Sequence, residues 1–422
     1  MTQARDSWHS AGSGGADQGT VRRANLTLLL RSLRDGGPRS RARLAADLGL
    51  NKATVSSLVG ELIDRGLARQ GNAERGAVGR PGTIVEINGS GAFGVGAEIN
   101  VHHVSTLAVD LAGTKVSERR TSVDTRGLRP EQVVDRLVEL LQGTLVDLAE
   151  LGAVPVSVVV GVAGLVDHDR GTVSVAPNLG WQGVELAGLL RTKLGDPTYL
   201  VDVANEANLA AVAEATPGDP DRRDILVVHG EVGIGGGIVA DGRPFQGRLG
   251  FAGEFGHMVV DRGGRRCGCG RTGCWETVIG LSRLIEMATD EGDPLRSPDL
   301  GLETKVEEIN RRAAAGDERM LAALHEVGRW VGIGAAALTN ALNPGLIVLS
   351  GYLGEVGEWF QEDVEAELAS GVLAPDAGGT RISLSTLGFS AAVCGAAAVA
   401  IEHVYNDPTL VRRATNPLEA MS

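Results

Sequence analysis

Leucines recur at helical spacing near the N-terminal end of the chain. Leu26, Leu29, Leu30 and Leu33 share one face of a helix that begins at about Arg22 and stops at Asp35-Gly36-Gly37-Pro38. Residues 40–58 then predict two short helices separated by Gly49. Gly66-Leu67-Ala68 and Thr83-Ile84-Val85-Glu86-Ile87 read as two short strands, joined by a polar loop that carries Arg75 and Arg80. The pattern changes after that. Residues 93–116 read as strand, turn, strand, with the turn at Leu111-Ala112-Gly113, and residues 130–151 as a helix. Buried strands follow at 154–160, 200–203, 225–228 and 346–349, with helical stretches between them. That alternation predicts an α/β body large enough for two lobes.

Two long uncharged stretches, 331–354 and 383–401, have the length of a membrane span. Asn340, Asn343, Pro344 and several glycines break the first, and Ser, Thr and Gly break the second, so both predict buried core. Arg22-Arg23 precedes a short apolar run, but Arg31 closes it and no small-residue cleavage site follows. No membrane partner and a cytoplasmic, nucleoid-associated location are expected.

Apolar residues make up 43% and charged residues 22% of the 422, which excludes a disordered or collagenous chain. The net charge of −13 argues against a polyanionic partner when taken whole. Its distribution reverses that for one segment. Residues 21–90 carry twelve Lys/Arg against six Asp/Glu, whereas residues 91–422 carry 27 against 45. A basic module is attached to an acidic body.

The basic module has the spacing of a DNA reader. Two helices crossing steeply need a small residue at their contact, a residue tolerant of positive φ in the turn, and an apolar residue facing back. Ala45, Gly49 and Val55 meet these needs at offsets of 0, 4 and 10. Asn51 is placed to cap the second helix. Arg41, Asn51, Lys52, Ala53, Thr54, Ser56 and Ser57 are the candidate contacts to bases and phosphates. The loop and strands add a wing, with Arg80 placed to enter a minor groove.

The body holds a second constellation. Ala252-Gly253-Glu254-Phe255-Gly256-His257 precedes Cys267-Gly268-Cys269, Cys274 and Glu276. One imidazole and three thiols, His257, Cys267, Cys269 and Cys274, form a Cys₃His set for structural Zn²⁺ with no open position. Cys394 lies alone in an apolar stretch and reads as a small core residue.

These strings resemble the ROK family of repressors, open reading frames and sugar kinases, and the resemblance runs from about residue 20 to 405. It implies an N-terminal winged helix-turn-helix plus a two-lobed actin-like, hexokinase-type (ribonuclease H-like) ATPase fold. The expected division is a disordered tail at 1–19, the winged helix at 20–89, a first lobe at 90–213 completed by 388–405, and a second lobe at 214–387. The helix at about 390–403 would return to the first lobe. The resemblance also implies a sugar site at Asn205, Glu206, Glu254, His257 and Glu276, with Asn178 as a further contact. Glu206 stands where the family has its catalytic Asp.

Kinases of this family carry Asp-x-Gly-Gly-Thr-Lys at the first phosphate loop, where Glu98-Ile99-Asn100-Val101-His102 stands here. Both glycines and the threonine are missing. Ala112-Gly113-Thr114-Lys115 is similar but sits in the following turn. The glycines of Gly233-Ile234-Gly235-Gly236-Gly237 remain, with Glu231-Val232 in place of a hydroxyl residue. The expectation is a non-enzymatic, sugar-responsive regulator, a homodimer or homotetramer bound to a palindromic DNA operator, with a sugar or sugar phosphate as effector. The alternative is an active, glucokinase-like sugar kinase with an attached DNA-binding head.

Overall fold

The computed structural model describes residues 18–71, 83–215, 219–374 and 379–413. The head opens with α1 (Gln18–Gly36), which starts before its first buried leucine, Leu26. A two-residue strand, β1 (Arg39–Ser40), leads into α2 (Arg41–Leu48) and α3 (Lys52–Asp64). β2 (Ala68–Gly71) and β3 (Ile84–Ile87) join β1 in a small sheet of order β1-β3-β2. The strand expected from Gly66 starts only at Ala68, because Gly66 turns the chain at a φ of +75°. Residues 1–17, Arg75 and Arg80 lie outside the described residues, while Gln18 and Gly19 of the expected tail belong to α1.

The first lobe starts with an antiparallel meander of β4 (Phe93–Ile99), β5 (His103–Asp110) and β6 (Lys115–Ser122). Helix α4 (Pro130–Glu150) crosses to β7 (Ser157–Val162), which pairs parallel to β4. β7 begins later than its apolar run suggests, since Pro155 has no N–H to give a ladder. A small antiparallel sheet of β8 (Leu165–Asp167), β9 (Thr172–Ala176) and β10 (Trp181–Val184) follows. Then come α5 (Leu186–Lys193), β11 (Leu200–Asn205) and α6 (Glu206–Glu214). The main sheet runs β11-β7-β4-β5-β6.

The second lobe repeats the mixed pattern. β12 (Ile225–Gly230), β13 (Ile234–Ala240) and β14 (Arg243–Pro244) are antiparallel. Helices α7 (Glu276–Ile279), α8 (Leu281–Ala288), α9 (Leu302–Ala314) and α10 (Glu318–Leu342) precede β15 (Leu346–Gly351). After α11 (Tyr352–Glu355) and α12 (Gln361–Gly371) the chain adds β16 (Arg381–Leu384), giving the order β14-β13-β12-β15-β16. Val331, Ala335 and Leu338 of α10 and all of β15 are buried, so the first uncharged stretch builds core.

Helix α13 (Ala391–Asn406) returns to the first lobe and packs on β4, β7 and α6. Gly94 and Gly96 permit this, because a Cβ at either would strike the α13 backbone near Ala400 or Ala397. Among the described residues one helical stretch, Gly388–Asn406, is long and apolar enough to cross a membrane, and most of it is buried within the protein.

The head and the first lobe share a core. Leu26, Leu29, Leu30 and Leu33 of α1 belong to one cluster with Leu44, Val55 and Leu58 of the head and Leu107, Leu111, Ile401, Val404 and Tyr405 of the body. Polar contacts reinforce the seam. Arg31 and Arg34 both pair with Glu402, Thr27 donates to the Asn406 carbonyl at 2.9 Å, and the Arg34 guanidinium lies 4.4 Å from the Tyr405 ring centre. The body's last helix is therefore the platform on which the head stands.

Candidate functional site

The helix pair of the head has the expected joints. Ser40 caps α2 by accepting the Arg43 N–H at 3.3 Å, and Gly49 closes it at a φ of +64°. Asn51 caps α3 by accepting the Thr54 N–H at 2.8 Å. Ala45 and Val55 are buried where the helices meet. Asn51, Lys52, Ala53, Ser56 and Ser57 are exposed on the first two turns of α3, with Thr54 half-buried beside them. Ser57 accepts from Arg22 of α1 at 3.2 Å, so its hydroxyl has a partner within the head. Arg41 starts α2 half-buried, with its Nε enclosed and without a hydrogen-bond partner.

Between the lobes, Asn205 ends β11 and caps α6. Its Oδ1 accepts the Asn208 N–H at 3.0 Å and its Nδ2 donates to the Gly164 carbonyl at 2.9 Å. Glu254 and His257 sit on a short turn after the β13–β14 hairpin, and Glu276 opens α7. His257 Nε2 lies 3.9 Å from Glu254, and its Nδ1 lies 3.8 Å from Glu276. Asn178 reaches the same space from the first lobe: a Cβ on Gly233 would stand 3.2 Å from Glu276 Oε2 and 3.6 Å from Asn178 Nδ2. Burial pushes the Glu254 carboxyl upward and Glu276 adds to this, while His257 works against it. The carboxylates, amide and imidazole offer the acceptors and donors that vicinal hydroxyls need.

His257 also faces the thiols. One donor atom from each of His257, Cys267, Cys269 and Cys274 lies within 4.8 Å of the others. Cys267 Sγ is 3.7 Å from His257 Nδ1, and the Cys269 and Cys274 sulfurs are 3.6 Å apart. Tetrahedral Zn–S bonds of about 2.3 Å put ligand atoms about 3.7 Å apart, so the set fits that ion and can hold a metal. Burial and the Glu276 carboxylate raise the Cys267 thiol, which donates to Glu276 Oε1 at 2.8 Å. Burial opposes ionisation of Cys269, but the Arg271 N–H and the neighbouring thiols bring it down to about 7.

The turn at residues 98–102, where the sequence places the counterpart of a phosphate loop, is packed into the first lobe. Val101 is buried in the core of the first lobe. The Asn100 N–H donates to the His103 carbonyl at 3.0 Å and the His102 N–H to the Asn100 side chain at 3.3 Å, which uses two backbone donors of the turn. The glycines of β13 serve packing: a Cβ on Gly235 would meet Ala207, and one on Gly237 the backbone of α6. Ala112 and Thr114 both donate N–H to Asp110, which makes 112–115 an ordinary hairpin turn.

The Glu206 carboxylate joins those of Glu98 and Glu231, with one oxygen of each within 4.8 Å of the other two. Sequence reading marks Glu98 and Glu231 separately as departures from kinase loops. Their convergence with Glu206 has no local signal, because two strands of different sheets and the start of a helix create it.

A sequence model of the ROK family matches residues 94–403, and one of the IclR helix-turn-helix domain matches residues 24–71. The chain is 28% identical to the xylose repressor of Bacillus subtilis (strain 168) over 389 residues, covering 92% of this chain and 97% of that one. Its fold matches the crystal structure of a ROK family transcriptional regulator, a homologue of the E. coli MLC protein, with a TM-score of 0.76 and 24% identity over 92% of this chain and 97% of the other. It also matches a ROK family glucokinase from Streptomyces griseus in complex with glucose and AMPPNP, with a TM-score of 0.61 and 28% identity over 74% of this chain and all of that one.

Proposed function

The chain belongs to the ROK family, and from that premise we propose that it is a cytoplasmic, sugar-responsive transcriptional repressor. The observation that carries this reading is the single core shared by a DNA-reading head and a kinase-shaped body. Two further features support regulation over catalysis: a relative over nearly the whole length is a xylose repressor, and in the 98–102 turn Val101 is buried and the Asn100 side chain takes the His102 N–H.

A dimer would place two α3 helices in successive major grooves of a palindromic operator, about 34–36 Å apart. Lys52, Thr54 and Ser56 face the duplex. A sugar would occupy the cleft between Asn178 and Asn205 of the first lobe and Glu254, His257 and Glu276 of the second, and so favour one degree of lobe closure. Closure is transmitted through α6, which begins in the site, to α13, and from α13 to α1.

Structural Zn²⁺ fits the thiol–imidazole set and has a consequence for the sugar site. A metal-bound Cys267 is a thiolate with no proton to donate, so Glu276 is released from it to accept a sugar hydroxyl. Zinc in this reading both folds the loop and prepares a sugar contact.

Operator binding titrated with xylose, glucose and N-acetylated hexosamines tests the proposal. The inducing sugar should change affinity about five- to 150-fold, the span of a 1–3 kcal/mol coupling. Indifference to every sugar would remove the sugar-responsive reading. ADP release with one of these sugars at about one turnover per second or more would establish a kinase instead.

A further inference from the structure

Glu61 of α3 is buried and meets three guanidiniums from three segments of the chain. Arg22 of α1 donates to its Oε2 at 2.6 Å, and Arg65 at the end of α3 donates to its Oε1 at 2.9 Å. Arg413, from the segment that follows α13, lies 3.0 Å from Oε1. One guanidinium neutralises one carboxylate, so the node carries positive charge in excess. Asp64 is the other carboxylate that acts on Arg413. Arg412 beside it is exposed and pairs with no carboxylate among the described residues.

The carboxylate is inside this node and the cations are outside. Glu61 is 5% exposed, whereas Arg22 is 44% and Arg413 54% exposed. Arg65 is 11% exposed and turned inward, where its Nη1 donates to the carbonyls of Thr409 and Val411. It fixes the C-terminal segment against the head, while Arg22 and Arg413 hold their charge toward solvent.

The node borders the proposed DNA face. Ser57 and Glu61 lie one turn apart on the same side of α3, and Arg22 spans them, with its Nη2 on the Ser57 hydroxyl at 3.2 Å. That oxygen accepts from Arg22, so its own proton is left for an acceptor outside the described residues. Arginine and serine side chains are common partners of backbone phosphates. The first turns of a recognition helix meet base edges, and phosphates line the groove on either side of it. A cation one turn beyond Ser57, about 5.4 Å along the axis, stands at that edge.

We propose that Arg22, Ser57 and Arg413 grip a phosphate of the DNA backbone beside the groove read by α3, so that the interface is built from both ends of the chain. This rests on the DNA-binding reading of the head. Glu61 keeps Arg65 when Arg22 and Arg413 turn to the phosphate, so no charge is left buried without a partner. The contact also follows the body. Arg413 comes seven residues after Asn406, the last residue of α13. A shift of α13 with lobe closure would therefore move a charge at the DNA without passing through α1.

Fluorescence anisotropy with full-length protein and a labelled random-sequence duplex of about 30 base pairs, between about 50 and 200 mM salt, tests the contact, because phosphates are gripped whatever the sequence. Arg22→Gln and Arg413→Gln should each weaken binding about three- to tenfold and lower the slope of log affinity against log salt by about 1. Arg413→Lys should restore the slope, because it returns the charge. Unchanged affinity and slope in both Gln variants overturn the proposal. A loss of affinity at unchanged slope also overturns it, and gives the arginines a structural role in the head. A parent that binds no duplex at the lowest salt removes the DNA-binding reading itself, and this contact with it.

Discussion

Gly395 of α13 lies directly against the main-chain carbonyl of Leu209 in α6, so close that a Cβ on Gly395 would fall inside the oxygen's radius. The two helices approach most closely there, and Leu209 packs with Ala396, Val399 and Ala400 beside the contact. One begins at Glu206 in the cleft and the other carries the head, so movement of one moves the other. Gly395→Ala should therefore destabilise the protein by about 1–3 kcal/mol, the usual cost of overpacking. Urea unfolding measures this, and an unchanged midpoint would refute the contact.

Glu402 ties α1 to α13 through Arg31 and Arg34 at a half-exposed seam. Each pair contributes up to about 1 kcal/mol, which is small against the shared apolar core. Glu402→Ala should leave operator affinity within a few-fold but blunt the change caused by sugar. A mobility-shift titration with and without inducer separates the two effects.

Cys269→Ser would remove one of the four donors of the proposed zinc set. Metal analysis should show the loss of one zinc per chain, and sugar binding by calorimetry should weaken with it because Glu276 returns to Cys267. Full zinc content in the variant would exclude the Cys₃His set.

Lys52 is exposed at the first position of α3. Lys52→Ala should lower affinity for operator and random DNA alike, and reduce the slope of log affinity against log salt by about 1. A loss confined to operator DNA would instead assign Lys52 to a base.

Glu61 ties the head together. It is 5% exposed and, although burial works against it, the guanidiniums of Arg65, Arg413 and Arg22 hold its carboxyl down to about 2. A carboxyl depressed on folding stabilises the native state above its unfolded value of about 4.3, and that stability is lost as pH falls. Head stability should be flat above about pH 5 and decline toward pH 2, and Glu61→Gln should flatten the decline in acid-unfolding curves.

Much of the site was readable before the fold. Ala45, Gly49 and Val55 announce the helix pair because each answers a local steric demand, and His257 with the three cysteines announces a set that can hold a metal because the four cluster along one loop. What stayed hidden depends on pairing between distant segments. The small sheet β8-β10 consists of strands of three to five residues with little alternation. Glu98, Glu206 and Glu231 meet only because the ends of β4 and β12, in two different sheets, converge with the start of α6. Glu402 gives no hint that it will meet Arg31, since 371 residues separate the two.

The common core of α1 and α13 bears on how such proteins can be taken apart. A fragment ending near residue 90 would keep every proposed DNA contact of the head, yet expose the flank of α1 that rests on Ile401, Val404 and Tyr405. A body cut before it would expose the reverse side of the same seam. Heads exchanged between relatives should therefore be grafted together with the matching face of the last helix, because the unit of exchange is a pair of segments from opposite ends of the chain.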